Sequence, residues 1–200
     1  GSVRIRKIDT ALTSDVRQFI RLPFALYRDS ELWVPPIVSD MRLALNRDRY
    51  PFYRHSEADF FLAEGAERTL GRIAVIDNRR YNQYKESKTA FFYYFETVED
   101  EEVAQGLFSA AAEWARDRGL TELVGPRGLL RADGHGLLVD GFEHRPAMGV
   151  PYNPPYYAAL LEDLGFEKEI DFLSAHLGGD FDLPDRFYEI AEKVKERRGF

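Results

Sequence analysis

The stretch that most constrains the fold is residues 99–125, "EDEEVAQGLFSAAAEWARDRGLTELVG". Val103, Leu107, Ala110, Ala111 and Trp114 recur at helical spacing and predict one apolar stripe. Acids crowd the first turn and arginines the last, the arrangement the helix dipole favours. Gly119 is placed to close the helix, since the residue after a last turn often needs a left-handed backbone. An apolar, aromatic run, "KTAFFYYFETV", precedes this helix, and the short "LTELVGP" follows it. A helix between two strands of one sheet is a crossover, so these two strands are expected to be parallel and the connection right-handed.

The remaining segments are placed around that unit. "VRIRKI", residues 3–8, alternates as a first strand. "TSDVRQFIRLPFALYRDS" has helical spacing, with a break or kink expected near Pro23. "VPPIVSDMRLALN" predicts a second helix after Pro35-Pro36, and "RDRYPFYRHS" a loop. "EADFFLAEG" and "RTLGRIAVIDNR" join at a tight turn over Gly65–Arg68, and the polar "NRRYNQYKES" connects them to the aromatic strand as an antiparallel meander. "RGLLRADGHGLLVDGFEHRPAMGV" is glycine-rich and irregular, with turns expected at Asp133-Gly134 and Asp140-Gly141. In "PYNPPYYAALLEDLGF" three prolines and three tyrosines lead into a short helix that Gly165 can cap. "FEKEIDFLSAHL" then predicts a strand, and "LPDRFYEIAEKVKERRGF" a final amphipathic helix. The expected class is therefore α+β, a mixed and mostly antiparallel sheet with helices on both faces.

Composition removes several functions. Two hundred residues suit one domain with a real core. The net charge of −7 counts against general adhesion to nucleic acid or to an anionic membrane. No apolar run approaches the roughly 18 residues of a membrane span. With no cysteine there is neither a disulfide nor thiol catalysis, which fits a cytoplasmic location. His135 and His144, with Asp133, Asp140 and Glu143, lack a tight ligand spacing, so no metal site is expected. Arginines 42, 47, 49, 54, 72, 79 and 80 read as scattered surface charge, with a local basic surface as the alternative.

The element order, together with the "PYNPPYY" and "LLEDLGF" segments, resembles the GNAT acyltransferase superfamily over roughly Val3 to Leu177. The likeness is to an uncharacterised branch of that superfamily carrying a "PYNPPYY…LLE..GF" segment. The resemblance implies that the parallel fourth and fifth strands splay apart and admit acyl-CoA between them. It implies an N-acyltransferase that uses acetyl-CoA or another acyl-CoA to acylate a small-molecule amine. A catalytically degenerate module that binds a ligand or partner is the alternative. The expected catalytic pair is Glu96, as base, and Tyr157, as acid toward the leaving thiolate. The expected acyl-CoA contacts are Tyr94, Phe95, Val103, Ala104, Gln105, Asn153 and Tyr156. No nucleic acid or membrane partner is expected. A second GNAT-like half or a homodimer is.

Two departures from the family pattern are visible. The phosphate loop Q/R-x-x-G-x-G/A falls on Glu99–Ala104, where only Ala104 fits and Glu99 and Glu102 replace the basic or amide residue and the first glycine. The family's tyrosine position is Leu161, one helical turn beyond Tyr157. The expected organisation is an expression-tag remnant at residues 1–2, a GNAT-like domain over 3–178, and a helix over 179–200 that links to or begins a second half.

Overall fold

The computed structural model describes residues 2–33, 35–129, 156–168 and 172–178. Seven strands form one sheet: β1 (Arg4–Lys7), β2 (Glu57–Glu64), β3 (Thr69–Asp77), β4 (Thr89–Thr97), β5 (Glu122–Gly125), β6 (Glu167–Lys168) and β7 (Leu173–His176). Their spatial order is β1-β2-β3-β4-β5-β7-β6. Every pair is antiparallel except β4–β5, where Thr89, Ala90 and Phe91 lie opposite Glu122, Leu123 and Val124 in parallel register. The helices are α1 (Thr13–Leu26), α2 (Val38–Leu45), α3 (Arg79–Lys85), α4 (Glu101–Asp117) and α5 (Tyr156–Asp163), and a 3₁₀ turn spans Pro51–Arg54.

Both faces of the sheet are buried, and the sequence shows why. The middle strands carry apolar side chains at nearly every position instead of alternating, as strands covered on both sides do. One core gathers Val75, Phe92 and Phe95 with α4 and α5; the other gathers Phe60, Ala74 and Phe91 with Phe19 of α1 and Leu45 of α2. Gly71 lets α4 approach β3: a Cβ there would lie 2.9 Å from Leu107 and 3.1 Å from Val103. Helices α4 and α5 end alike. Leu120 N–H bonds Ala115 O and Gly119 N–H bonds Arg116 O, and Phe166 with Leu161 and Gly165 with Glu162 repeat the pattern. Both are Schellman closures, with Gly119 at φ +75° and Gly165 at φ +99°.

Three expectations are corrected. Helix α1 is not broken at Pro23 but runs three residues further, because the proline lies in the last turn and its carbonyl still accepts from Tyr27 N–H at 2.9 Å. The polar connector after β3 contains α3, started by Asn78, whose side chain accepts from Tyr81 N–H at 3.0 Å, and closed by Glu86 in the left-handed region. Asn82 anchors it by accepting from Ser87 Oγ and Thr89 N–H, so local polar bonds stand in for an apolar stripe. The strand expected after Phe166 is two strands, β6 and β7, paired with each other. The glycine-rich segment after Leu129 and the C-terminal helix over 179–200 lie outside the described residues.

Candidate active site

The site forms where β4 parts from β5. Their ladder ends at Phe91–Val124, and one further bond, from Arg127 N–H to Phe92 O at 2.9 Å, continues the contact. Gly125 permits this close passage, since a Cβ there would sit 2.5 Å from Phe92 O. Strand β4 runs on to Thr97 without a β5 partner, so the pair opens toward its C-terminal ends. On its other side β4 carries an extra residue: Ala74 faces Tyr93 and Arg72 faces Glu96, with Tyr94 at φ +53°. Such a bulge bends the strand and re-aims the side chains that follow.

The opening is filled by the first turn of α5. Tyr157, 1% exposed, accepts from Thr97 N–H at 2.8 Å and donates to Glu96 Oε2 at 2.8 Å. Tyr156 donates to Thr97 O at 2.6 Å. Tyr27, the residue that closes α1, donates to the same Glu96 oxygen, and its hydroxyl lies 3.0 Å from that of Tyr157. Glu96 thus joins a helix on one face of the sheet to a helix on the other. Behind it lies Arg72, 3% exposed, donating to Tyr94 O at 3.0 Å and Phe19 O at 2.7 Å, with its guanidinium over both rings.

The electrostatics follow from this packing. Glu96 is half-buried by exposed area, yet protein atoms crowd its carboxyl. Burial pushes it up to about 7, against the opposing pull of Arg72 and of the two tyrosine hydrogen bonds. Burial, then the Glu96 charge, holds Tyr157 well above the ordinary phenol value. The same causes raise Tyr27. Near neutral pH the carboxyl can gain or lose a proton while both phenols keep theirs.

The remaining sequence candidates lie at different depths. Phe95 packs on Tyr157 and Phe108, with ring centroids 5.0 and 4.8 Å away. Val103 and Ala104 are fully buried in the α4 core. Gln105 is buried and donates to Glu101 at 2.9 Å. Tyr94 turns to the opposite face, edge-on to Phe19. Asn153 lies outside the described residues. Sequence reasoning missed Tyr27 and Arg72. Tyr27 gives no local signal. Arg72 does, as a lone cation within the apolar "LGRIAVI", but it was counted with the surface arginines. Of those, Arg47 pairs with Asp59 and Arg79 with Glu57 at the surface. Among the described residues no group of acids and histidines could hold a metal.

The start of α4 is the other end of the site, and it does not suit a pyrophosphate. Asp100 caps the helix itself, accepting from Glu102 N–H at 2.9 Å. Glu99 and Asp100, with Glu101 and Glu102, are exposed carboxylates clustered around that end. The Glu96 end of the cleft is built of paired donors and acceptors. The helix start offers anions to an anion.

Comparison with known structures matches this architecture. A tandem GNAT protein from the clavulanic acid biosynthesis pathway superposes with a TM-score of 0.57 at 16% identity, over 84% of this chain and 45% of its own. YncA of Salmonella typhimurium, a putative acetyltransferase solved with acetyl-CoA, gives 0.51 at 14% identity over 92% and 99%. The chain has the GNAT fold. No family model matches it. Among curated proteins, Protein YghO of Escherichia coli K12 is 33% identical over 162 residues, 80% of this chain. The bacterial ceramide synthase of Caulobacter vibrioides is 31% identical over 185 residues, 92% of this chain. The chain spans under half the length of either relative, 41% and 47%. No helix among the described residues is long and apolar enough to cross a membrane.

Proposed function

We propose that this GNAT domain transfers an acyl group from an acyl-CoA to an amine, with Glu96 as general base and Tyr157 as general acid. The observation that carries this reading is the Tyr27–Glu96–Tyr157 cluster at the mouth of the β4–β5 opening. Acyl-CoA supplies the acyl group activated as a thioester. Glu96, poised near neutrality, takes the proton that an ammonium must lose before its nitrogen can attack. Tyr157, protonated throughout the working range, donates its hydroxyl proton to the leaving sulfur and recovers one from Glu96 across their 2.8 Å bond. Tyr27 holds the carboxyl and shares its load of donors. Two protons leave the ammonium: the one taken by Glu96 before attack passes through Tyr157 to the leaving sulfur, and the second, shed by nitrogen as the amide forms, goes to solvent.

The acidic α4 start supports a second reading, a GNAT module that has lost acyl-CoA binding and holds another ligand or partner. The relation to a ceramide synthase, by its name a maker of amide-linked lipids, favours transfer and points to a long-chain amine as acceptor. Partial coverage of the longer relatives, and of a tandem protein, supports a second GNAT-like half in the functional protein. The test is thiol release from acetyl-CoA and from a long-chain acyl-CoA, mixed with short and long-chain amines. Amine-dependent release supports transfer. Its absence, with calorimetry showing no acyl-CoA binding, supports the second reading.

A further inference from the structure

On the outer side of α1 and α2, away from the sheet, lies an open groove of about 480 Å³. Arg17 and Arg21 of α1, Arg28 just past its end, and Arg42 of α2 line it. Ile20, Phe24 and Val38 form its apolar floor. All four arginines are exposed, and none forms an ion pair with a described residue. The acids of this stretch, Asp29, Glu31 and Asp40, do not line the groove. The distribution of exposed apolar side chains is independent of that charge. Of five large ones among the described residues, four belong to these helices and their caps: Leu12 at 51% exposed, Phe24 at 36%, Ile37 at 59% and Leu43 at 41%.

We infer that the α1–α2 face docks on an anionic phospholipid surface, with Arg17, Arg21, Arg28 and Arg42 on lipid phosphates and Phe24, Ile37 and Leu43 among the acyl chains. Guanidinium matches phosphate geometry with paired N–H donors, and an anionic bilayer surface attracts arginines held near it. Scattered exposed apolar side chains flanked by cations suit an interface that is apolar below and anionic above. The overall charge of −7 does not prevent this, since charges beyond about 10 Å are screened at ordinary salt. A second copy is a poorer occupant, because groove against groove would bring eight arginines together. The groove also adjoins the cleft: Trp33 contacts Phe24 at 5.0 Å and Tyr27 at 5.5 Å between ring centroids. The inference stands whether or not the domain transfers acyl groups.

The test is flotation of the protein with vesicles of phosphatidylcholine, with or without about a third phosphatidylglycerol. Bound protein should rise at least about tenfold on the anionic vesicles and fall at high ionic strength. Arg17→Gln with Arg21→Gln and Arg42→Gln should abolish that gain, whereas Arg49→Gln with Arg54→Gln, outside the groove, should leave it intact. Phe24→Ser should weaken binding severalfold at low salt. Because the arginine side chains are exposed, circular dichroism melts of the arginine variants should match wild type. Equal binding to neutral vesicles, no binding to anionic ones, an unaffected arginine variant, or a concentration-dependent dimer in place of vesicle binding would overturn the inference.

Discussion

The two ends of the β4–β5 cleft contrast sharply. At the Glu96 end, tyrosines from two helices on opposite faces of the sheet converge on one carboxyl, and the hydroxyls of Tyr27 and Tyr157 each have a partner. At the α4 start, five residues away in sequence, four exposed carboxylates stand together and the helix caps itself through Asp100. The difference teaches that a buried, hydrogen-bonded carboxyl and a helix start open to an anion are set by separate parts of one fold. The first depends on burial, which raises a carboxyl toward neutrality; the second needs free N–H donors and low negative charge.

The comparison can be broken most severely at Glu96. Glu96→Gln keeps the shape and removes the base, so turnover should fall about 10²-fold or more with the native circular dichroism spectrum retained. A smaller loss, at intact binding, would mean the buried end is architectural. Tyr157→Phe should lower turnover at least about tenfold while keeping the ring on Phe95. Tyr157→Ala, by contrast, should cost roughly 3–5 kcal/mol of stability, read by denaturant titration, because the ring is fully buried. The phosphate end sharpens the contrast with an opposite sign. Replacing Glu99 with Gln and Glu102 with Gly should tighten acetyl-CoA binding about tenfold in calorimetry, since each like-charge contact near a surface costs on the order of 1 kcal/mol. No change would locate the defect elsewhere.

The last effect is on stability. Glu96 rises from 4.5 to about 7 on folding, so across that interval the folded chain holds a proton the unfolded chain has released. The contribution of this group therefore declines as pH rises from about 4.5 to about 7. The melting temperature of wild type should fall relative to Glu96→Gln between those values, and parallel curves would show that the carboxyl is not perturbed.

Much of the fold was legible because local and global signals agree. The α4 stripe, Gly119 and the apolar strands on either side each specify the same crossover, and Gly165 closes α5 as its position suggested. Helix α3 was not legible, because Asn78 and Asn82 hold it by side-chain bonds that leave no periodic pattern. The division into β6 and β7 was hidden for a similar reason: strands of two and four residues are too short for alternation to register. Glu96 could be named from its place at the end of the aromatic strand and Tyr157 only as a tyrosine one turn short of the family's position, and the structure brings the two together. Tyr27 could not, since only the folded topology carries the end of α1 across the sheet to a residue 69 positions away. Arg72 was misplaced at the surface because its charge was weighed without its apolar neighbours on β3.

The most direct test of the central claim is the pH dependence of kcat/KM for amine acylation, wild type beside Glu96→Gln. With Glu96 as base, wild-type activity should rise with pH through an inflection near 7, where the carboxyl loses its proton. That inflection should vanish from the residual activity of the variant. A wild-type profile flat across neutrality, or an inflection that survives unchanged in Glu96→Gln, would contradict the assignment of the buried carboxyl as the base.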